Sequence, residues 1–145
     1  MNWKSLECRF FASTCESVLG DYFTSHGFSK GEITSIGGVI YRRSNLFVEV
    51  SYVPETLPSY TPSIIIGLGA DKYDKAGKPL GVPGWFIFPA EAPERKYSFW
   101  TFDTEQSLVV VLTRIKDEIL NGHVRPLWND EKTLRKLIHT FRTQA

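Results

Sequence analysis

Residues 39–69 constrain the fold more than any other part of the chain. They contain two strands of alternating character, Val39–Arg42 and Leu46–Val53, and a more apolar strand, Ser63–Gly69. Ser44 and Asn45 separate the first two strands, and both residue types favour tight turns. The sequence therefore predicts an antiparallel hairpin near the centre of a sheet.

The alternation of side chains also predicts the register of this hairpin. A short loop pairs Tyr41 with Val48 and Val39 with Val50, which places these apolar side chains on one face. A shift of one residue would mix apolar and polar side chains, so the pattern favours this register. The opposite face is mixed and receives Ile40, Arg42, Phe47, Glu49 and Ser51.

Three further features surround the hairpin. On the mixed face, Arg42 and Glu49 are expected within diagonal reach of each other. The segment Pro54–Pro62 contains three prolines, which predict a stiff, extended loop without regular pairing. Strand Ser63–Gly69 does not alternate, and this pattern predicts a strand covered on both faces.

The chain beyond the hairpin shows shorter strand patterns. A polar, glycine-rich loop, Ala70–Gly84, follows the third strand. The apolar segment Trp85–Phe88 predicts a fourth strand that ends at Pro89. After the polar segment 91–96, the alternation of Tyr97–Phe102 predicts a short edge strand.

Helical patterns lie at both ends of the chain. An apolar stripe over Ser5–His26 predicts a long N-terminal helix. A second helix is expected to begin at Asp103, with Gln106 completing a capping box, and to end at Asn121-Gly122. A last helix follows a cap at Asn129 or Asp130.

Together these elements predict a single α+β domain spanning residues 1–145. A long N-terminal helix precedes a four- to five-stranded antiparallel meander sheet, and two C-terminal helices follow it. We expect the helices to pack mainly on one sheet face, because only one face of the hairpin is uniformly apolar.

Charge and hydropathy argue against two classes of partner. The formal net charge is +1, so there is no electrostatic case for nucleic acid or an anionic membrane. The basic residues of the last helix are interpreted as a solvated face; they are Lys132, Arg135, Lys136 and Arg142. No apolar run reaches the roughly 18 residues of a membrane-spanning helix, and the N-terminus lacks the apolar core of a signal peptide.

The two cysteines indicate a reducing compartment. Cys8 and Cys15 lie on the same predicted helix, about 10.5 Å apart along its axis. A disulfide requires Cα atoms within about 7 Å, so two buried, unpaired thiols are expected. This usage favours a cytoplasmic location.

The sequence contains no motif of a common catalytic, metal or cofactor site. None of the three histidines has a His, Cys or carboxylate at metal-ligand spacing. Asp71 and Asp74 suggest a calcium loop, but Val82 stands where the final carboxylate would be. Gly67 and Gly69 lack the third glycine and the helix of a dinucleotide site. We therefore predict no catalytic residue, metal ligand or cofactor.

Aromatic residues in and beside rigid loops indicate a protein-binding surface. Tyr60 lies among prolines, Tyr73 among charged residues, and Trp85 opens a strand. Tyr and Trp are enriched at binding hot spots. The candidate partner-binding residues are Phe47, Glu49, Tyr60, Asp71, Tyr73, Asp74 and Trp85. The alternative is that these side chains pack locally, with the proline-rich loop folded over the mixed face.

The order of elements resembles that of small bacterial immunity proteins, which bind and neutralise a toxin. The similar features are Gly27-Phe28 after the first helix, the hairpin segments 39–42 and 47–50, and Trp85-Phe86 at the start of a later strand. The resemblance implies a non-catalytic, cytoplasmic protein, monomeric or homodimeric, that occludes a toxin domain. It implies no catalytic residue.

Two other functions remain open at this point. One is a small protein similar to secretion chaperones, which would need a homodimer interface. The other is an enzyme or small-ligand-binding domain, with a pocket between the sheet and the Ala70–Gly84 loop. Such a pocket would use Asp71, Tyr73 or Asp74, and a deep, polar cavity there would favour it.

Overall fold

A computed structural model describes residues 7–88, 92, 96–97 and 100–144. Its helices and strands are α1 (Phe11–Ser25), β1 (Glu32–Ile33), β2 (Val39–Arg43), β3 (Leu46–Pro54), β4 (Tyr60–Leu68), β5 (Gly81–Pro83), α2 (Glu105–Arg114) and α3 (Glu131–Gln144). A 3-10 segment, Gly84–Ile87, follows β5; a π-helical segment, Ile115–Val124, and a 3-10 segment, Arg125–Asn129, connect α2 to α3. The protein is therefore α+β, with the order of helices and sheet that the sequence predicts.

The five strands form one antiparallel sheet in the order β1-β2-β3-β4-β5, so each strand pairs with the next one along the chain. Val39 pairs with Val50, and Tyr41 pairs with Val48. The predicted register of the central hairpin is thus confirmed. Ser44 adopts a positive φ of 52° in the turn between β2 and β3.

The helices pack mainly on one face of this sheet, where the main hydrophobic core lies. The α1 residues Phe11, Cys15, Leu19 and Phe23 are fully buried there. The Phe23 and Tyr41 rings stack with their centroids 4.0 Å apart, which joins α1 to β2. We call the opposite face, which carries Ile40 and Phe47, the outer face.

Four of the nine residues of the proline-rich segment, Pro54 and Tyr60–Pro62, belong to strands, and residues 55–59 form the connecting turn, which corrects in part the predicted loop without regular pairing. Pro54 ends β3, and Pro62 lies within β4. The N–H of Tyr60 points away from β3 and donates to the Phe102 carbonyl at 2.8 Å. Pro62, two residues on, turns its nitrogen to the same side. Since β5 pairs only with residues 65–67 of β4, Pro62 interrupts no ladder.

The last strand of the sheet lies earlier in the chain than predicted. The β5 strand pairs with Ile65–Gly67, whereas the predicted strand Trp85–Phe88 is a 3-10 segment over most of its length. Beside the N-terminal part of β4, where the predicted strand Trp85–Phe88 would have paired, Phe102 bridges to Tyr60 instead. A different segment therefore occupies the edge that a longer fourth strand would have needed.

Among the described residues of the predicted edge strand Tyr97–Phe102, Phe102 alone pairs with the sheet, through this bridge. Phe102 donates to the Tyr60 carbonyl at 3.0 Å and accepts from its N–H. Ser98 and Phe99 lie outside the described residues, as do Pro89 and most of the segment 91–96. Tyr97 is buried against Gly84, where an added Cβ would lie 2.8 Å from the Tyr97 hydroxyl.

The second predicted helix starts one residue late and runs further than expected. Its N-cap is Thr104 rather than Asp103, and the Thr104 hydroxyl accepts from the Ser107 N–H at 3.1 Å. The chain stays helical past Asn121-Gly122 as far as Val124. Gly122 does not stop the helix because its backbone keeps a negative φ, whereas a glycine cap requires a positive one.

The first helix begins later than the sequence predicts, and the last helix begins at one of its two predicted caps. The α1 helix begins at Phe11; Ser5 and Leu6, where the sequence predicted its start, lie outside the described residues. For α3, Asp130 is the cap, since its carboxylate accepts from the Thr133 N–H at 3.2 Å. One of the two predicted caps is thus confirmed.

Candidate functional site

Phe47 packs across the outer face of the sheet and is only 1% exposed. Its ring occupies space that Gly67 and Gly81 leave open: Cβ atoms added there would lie 2.6 and 3.3 Å from the ring tip. The Arg42 guanidinium lies 6.0 Å from the ring centroid. Phe47 is therefore a packing residue, which corrects its place among the partner-binding candidates.

Glu49 is also buried on the outer face, and it binds a residue of the following loop. Its side chain is 3% exposed, and its carboxylate lies 3.1 Å from the Lys72 ammonium. Arg42 lies diagonal to Glu49 in the observed register, as predicted, but the Arg42 guanidinium binds Glu32 of β1 at 2.9 Å. The Glu49–Lys72 pair holds the loop onto the sheet, so Glu49 is not available to a partner.

Tyr60 belongs to the main core rather than to an exposed loop. It is 8% exposed, and its ring lies 5.4 Å from that of Tyr52 and 5.6 Å from that of Phe102. Its hydroxyl donates to the Glu7 carbonyl at 3.4 Å. Strand pairing of the proline-rich segment turns Tyr60 inward, which corrects its predicted role in partner binding.

Tyr73 and Trp85 remain exposed, and two half-buried phenylalanines accompany them. Tyr73 is 58% exposed and Trp85 is 37% exposed. The Phe141 ring of α3 lies 6.4 Å from the Trp85 ring and 5.2 Å from the Phe86 ring. We call Tyr73, Trp85, Phe86 and Phe141 the aromatic surface.

A cavity of about 230 Å³ lies between two residues of the aromatic surface, Tyr73 and Phe141. Its walls are mostly apolar and are formed by Ile65, Lys72, Tyr73, Pro79, Gly81, Pro83 and Phe141. Tyr73 comes from the loop after β4, and Phe141 comes from the last helix. The sheet edge, the loop and α3 therefore build this cavity together.

The 70–80 loop is an ordered hairpin rather than a loose connection. The Leu80 N–H donates to the Lys72 carbonyl at 2.8 Å, and the Asp74 N–H donates to the Lys78 carbonyl at 2.9 Å. Tyr73 and Pro79 form an antiparallel bridge. These bonds give Tyr73 a fixed base, although its ring is exposed.

Asp74 stabilises the tip of this loop and ties it to α3. Its carboxylate accepts from the N–H groups of Lys78 and Ala76, both at 2.9 Å, and it pairs with the Arg142 guanidinium. The Lys78 N–H above all, with Ala76 and Arg142, lowers the pKa of Asp74 below its usual value. Asp74 therefore has a structural task, whereas Asp71 on the same loop is exposed.

The sequence pattern did not single out Phe86 or Phe141 as surface residues. Phe141 ends the apolar stripe of α3, and Phe86 falls within the predicted fourth strand, so both are typical of buried positions. The stripe of α3 continues past its two buried residues, Leu134 and Ile138. The position of Phe141, about one turn beyond Ile138 and close to the end of α3, is the only sequence signal that could have indicated that Phe141 is partly exposed.

The two thiols are buried and unpaired. Burial raises the pKa of Cys8 to about 11 and that of Cys15 to about 12. The Cys15 sulfur lies 3.7 Å from the Tyr41 hydroxyl. Because the thiolate is the nucleophile, neither side chain is suited to covalent catalysis at neutral pH.

Within the described parts of the chain, no group of three or more His, Cys, Asp or Glu residues is placed to hold a metal ion. None of the helices described has the length and apolar character needed to cross a bilayer. No family model, curated protein or solved structure matches the chain. What the protein binds is therefore inferred from its own residues.

Proposed function

We propose that this chain is a non-catalytic protein-binding protein, of the immunity type, that occludes its partner. The observation that carries this proposal is the aromatic surface, where the exposed Tyr73 lines an apolar cavity and Trp85 contacts Phe141, which lines the same cavity. Exposed aromatic clusters next to a pocket are typical of binding hot spots. An apolar side chain of the partner would fill the cavity between Tyr73 and Phe141.

The rigid base of the aromatic surface favours tight binding. Lys72 holds one strand of the 70–80 loop to Glu49, and Asp74 holds the loop tip to Arg142. A surface that is already ordered loses little conformational entropy on association. Tyr73 therefore needs no rearrangement of the loop backbone before it contacts a partner.

The size of a standard interface supports occlusion as the mechanism. Such an interface buries about 800 Å² on each partner, roughly a tenth of the 8030 Å² surface of this chain. A contact of this area covers the mouth of an active site on the partner. Inhibition would then require no chemistry from this chain.

The partner that we propose is a bacterial toxin domain made by the same or a neighbouring cell. Support for this choice is the order of helix, meander sheet and two C-terminal helices, which resembles that of immunity proteins. The buried thiols, Cys8 and Cys15, favour a cytoplasmic location, because exported proteins commonly pair their cysteines.

Co-expression with the product of the adjacent gene tests this proposal. We expect a stoichiometric complex by size-exclusion chromatography with light scattering, and protection of the host cell if that product is toxic. The double variant Tyr73→Ala/Trp85→Ala should lower the affinity about 100-fold, since each hot-spot truncation costs about 1–2 kcal/mol.

A matched control removes exposed apolar side chains from another surface. Val109 and Val110 of α2 are 41% and 60% exposed, and Val109→Ala/Val110→Ala should bind as the parent does. The proposal fails if neighbouring gene products form no complex. The aromatic surface is the wrong site if the valine variant weakens the complex as much as the Tyr73 and Trp85 changes.

A small-ligand function has one observation in its favour, the cavity beside the 70–80 loop. Its volume of about 230 Å³ is below the roughly 300–1,000 Å³ of common ligand pockets. Of the lining residues in the described part of the chain, only Lys72 is charged, and its ammonium already binds Glu49. A small, apolar cavity of this kind suits one apolar side chain of a partner protein better than a polar metabolite, which needs polar groups to orient it.

A further inference from the structure

A second concave feature lies on the other side of the 70–80 loop, between this loop and α3. It is a groove of about 420 Å³. Its floor contains Leu68, Leu80 and Ile138, and its rim contains Lys78, Arg135 and Arg142. We call these six residues the basic groove. An apolar floor with a cationic rim is the complement of an acidic chain that carries an apolar side chain.

Charge is unevenly distributed over the chain, and the positive excess lies in the two segments that border this groove. Residues 69–80 and the α3 residues 131–144 contain seven Lys or Arg and three Asp or Glu, a net charge of +4. The whole chain has a net charge of +1, so the remainder carries a net charge of −3. Although the whole chain is nearly neutral, residues 69–80 and 131–144 together are basic, and a basic surface attracts acidic partners.

The cations on the rim are available to new carboxylates to different degrees. Arg142 is paired with Asp74 and fixes the groove wall. Arg135 pairs with Glu131 at 3.2 Å, but both side chains are more than half exposed, and such surface pairs contribute little. Within the described parts of the chain, the Lys78 ammonium has no ion pair. A partner's carboxylates can therefore replace the water around Lys78 and the weak contact of Arg135 with Glu131.

We infer that the basic groove receives a short acidic segment of the partner protein. Carboxylates of that segment bind Lys78 and Arg135, and one of its apolar side chains packs on Leu68 and Ile138. This inference rests on the proposed function, because it supplies the chemistry of that same partner. Phe141 and Arg142 are adjacent in α3, so one partner can contact the aromatic surface and the groove together.

A peptide titration followed by NMR tests the chemistry of the groove. The probe is a short peptide in which glutamates flank a single leucine, and the comparison peptide has lysines in place of the glutamates. We expect the acidic peptide alone to shift the amide resonances of Leu68, Leu80 and Ile138. Raising the salt to about 1 M, where the Debye length is about 3 Å, should weaken this binding.

Two charge-reversal variants separate direct contact from general attraction. Lys78→Glu/Arg135→Glu changes the groove rim, whereas Lys132→Glu/Lys136→Glu makes the same change in net charge on α3 outside the groove. The first variant should lower the affinity for the acidic peptide about tenfold or more, and the second about twofold or less. All four side chains are exposed, so both variants should fold, as circular dichroism would verify.

Several results would overturn the inference. These are the absence of groove shifts, equal shifts with the lysine peptide, and equal losses in the two variants. The same shifts with inorganic phosphate alone would identify a general anion site, and tighter binding of a DNA oligonucleotide would identify the wrong class of partner.

The groove inference and the proposed function can fail separately. If the product of the adjacent gene binds Lys78→Glu/Arg135→Glu as tightly as the parent, the groove inference fails while the proposed function stands. If no such complex forms but the acidic peptide binds in the groove, the proposed function fails and the chemistry of the groove is supported.

Discussion

Replacing Phe47 by alanine is expected to destabilise this protein far more than replacing Tyr73, although the sequence makes both residues partner-binding candidates. Phe47 is 1% exposed, whereas Tyr73 is 58% exposed. Truncation of a buried phenylalanine costs about 3–5 kcal/mol, a large part of the roughly 5–15 kcal/mol by which domains are stable. An exposed substitution changes the free energy of unfolding by about 0.5 kcal/mol or less.

Urea unfolding followed by tryptophan fluorescence and circular dichroism measures both effects. Phe47→Ala should lower the midpoint strongly with little change in the slope, because the denatured chain is almost the same. The Tm should fall by about 10 °C or more. Tyr73→Ala should unfold like the parent and lose affinity for the partner instead.

Two glycine variants test the same packing from the other side. A Cβ at Gly67 would lie 2.6 Å from both the Phe47 ring tip and the Leu80 carbonyl oxygen, so Gly67→Ala should cost about 1–3 kcal/mol. At Gly122, in a helical segment, a Cβ would meet nothing within 4 Å. Gly122→Ala is the matched control and should stabilise by up to about 1 kcal/mol.

Two results would contradict the packing of Phe47 on the outer face. One is a loss of less than about 1 kcal/mol in Phe47→Ala, which is well below the cost of emptying a buried site. The other is Gly67→Ala unfolding at the same urea concentration as Gly122→Ala. Either result would mean that the Phe47 ring leaves the sheet surface in solution.

Three further predictions concern single groups. Burial raises the pKa of Cys8 and Cys15, so neither should react with Ellman's reagent in the native state at neutral pH, and both should react in urea. The pKa of Asp74 is lowered in the fold, so the ionised carboxylate stabilises the folded state at pH values well above 3.8, and this stabilisation is lost as the pH falls below 3.8. Urea unfolding over this pH range should therefore show Asp74→Asn less stable than the parent at neutral pH and equally stable at low pH. Thr104 caps α2, so Thr104→Ala should cost about 1 kcal/mol, and Asp103→Ala, measured in the same way, should cost less.

The central hairpin was predictable because its information is local. The alternation around Val39, Tyr41, Val48 and Val50 permits one register that keeps the apolar side chains together, and that register is observed. Helix caps are nearly as local, which is why the prediction for Asp130 is confirmed and that for α2 missed by one residue. Short-range patterns also suffice for the class of fold.

Pairing between distant segments explains the errors in the strands. Whether Pro62 interrupts a sheet depends on which strand lies beside it, and β5 ends before reaching it. The edge that the Trp85–Phe88 segment would have needed is taken by Phe102, which lies 42 positions beyond Tyr60 in the sequence. Neither fact can be read from a window of neighbouring residues.

In the candidate site, too, local sequence patterns predicted the exposure of some residues, and distant contacts decided that of the others. Tyr73 was identified from its residue type and loop position, and Trp85 from its residue type at the start of a predicted strand; both are exposed. Phe47 and Glu49 stand in an equally suggestive pattern, yet Gly67, Gly81 and the Lys72 ammonium bury them. Their exposure depends on contacts with a loop some twenty residues further along the chain.

Local alternation, turn residues and helical stripes thus establish an α+β protein around residues 39–69, with a register in which the core face is certain. They leave open which polar or aromatic side chains reach solvent. That outcome follows from long-range contacts such as Asp74 with Arg142, 68 positions apart, and Trp85 with Phe141. Burial is a property of what packs against a residue, and in this chain many of those neighbours are distant in sequence, as Phe102 is for Tyr60 and Lys72 is for Glu49.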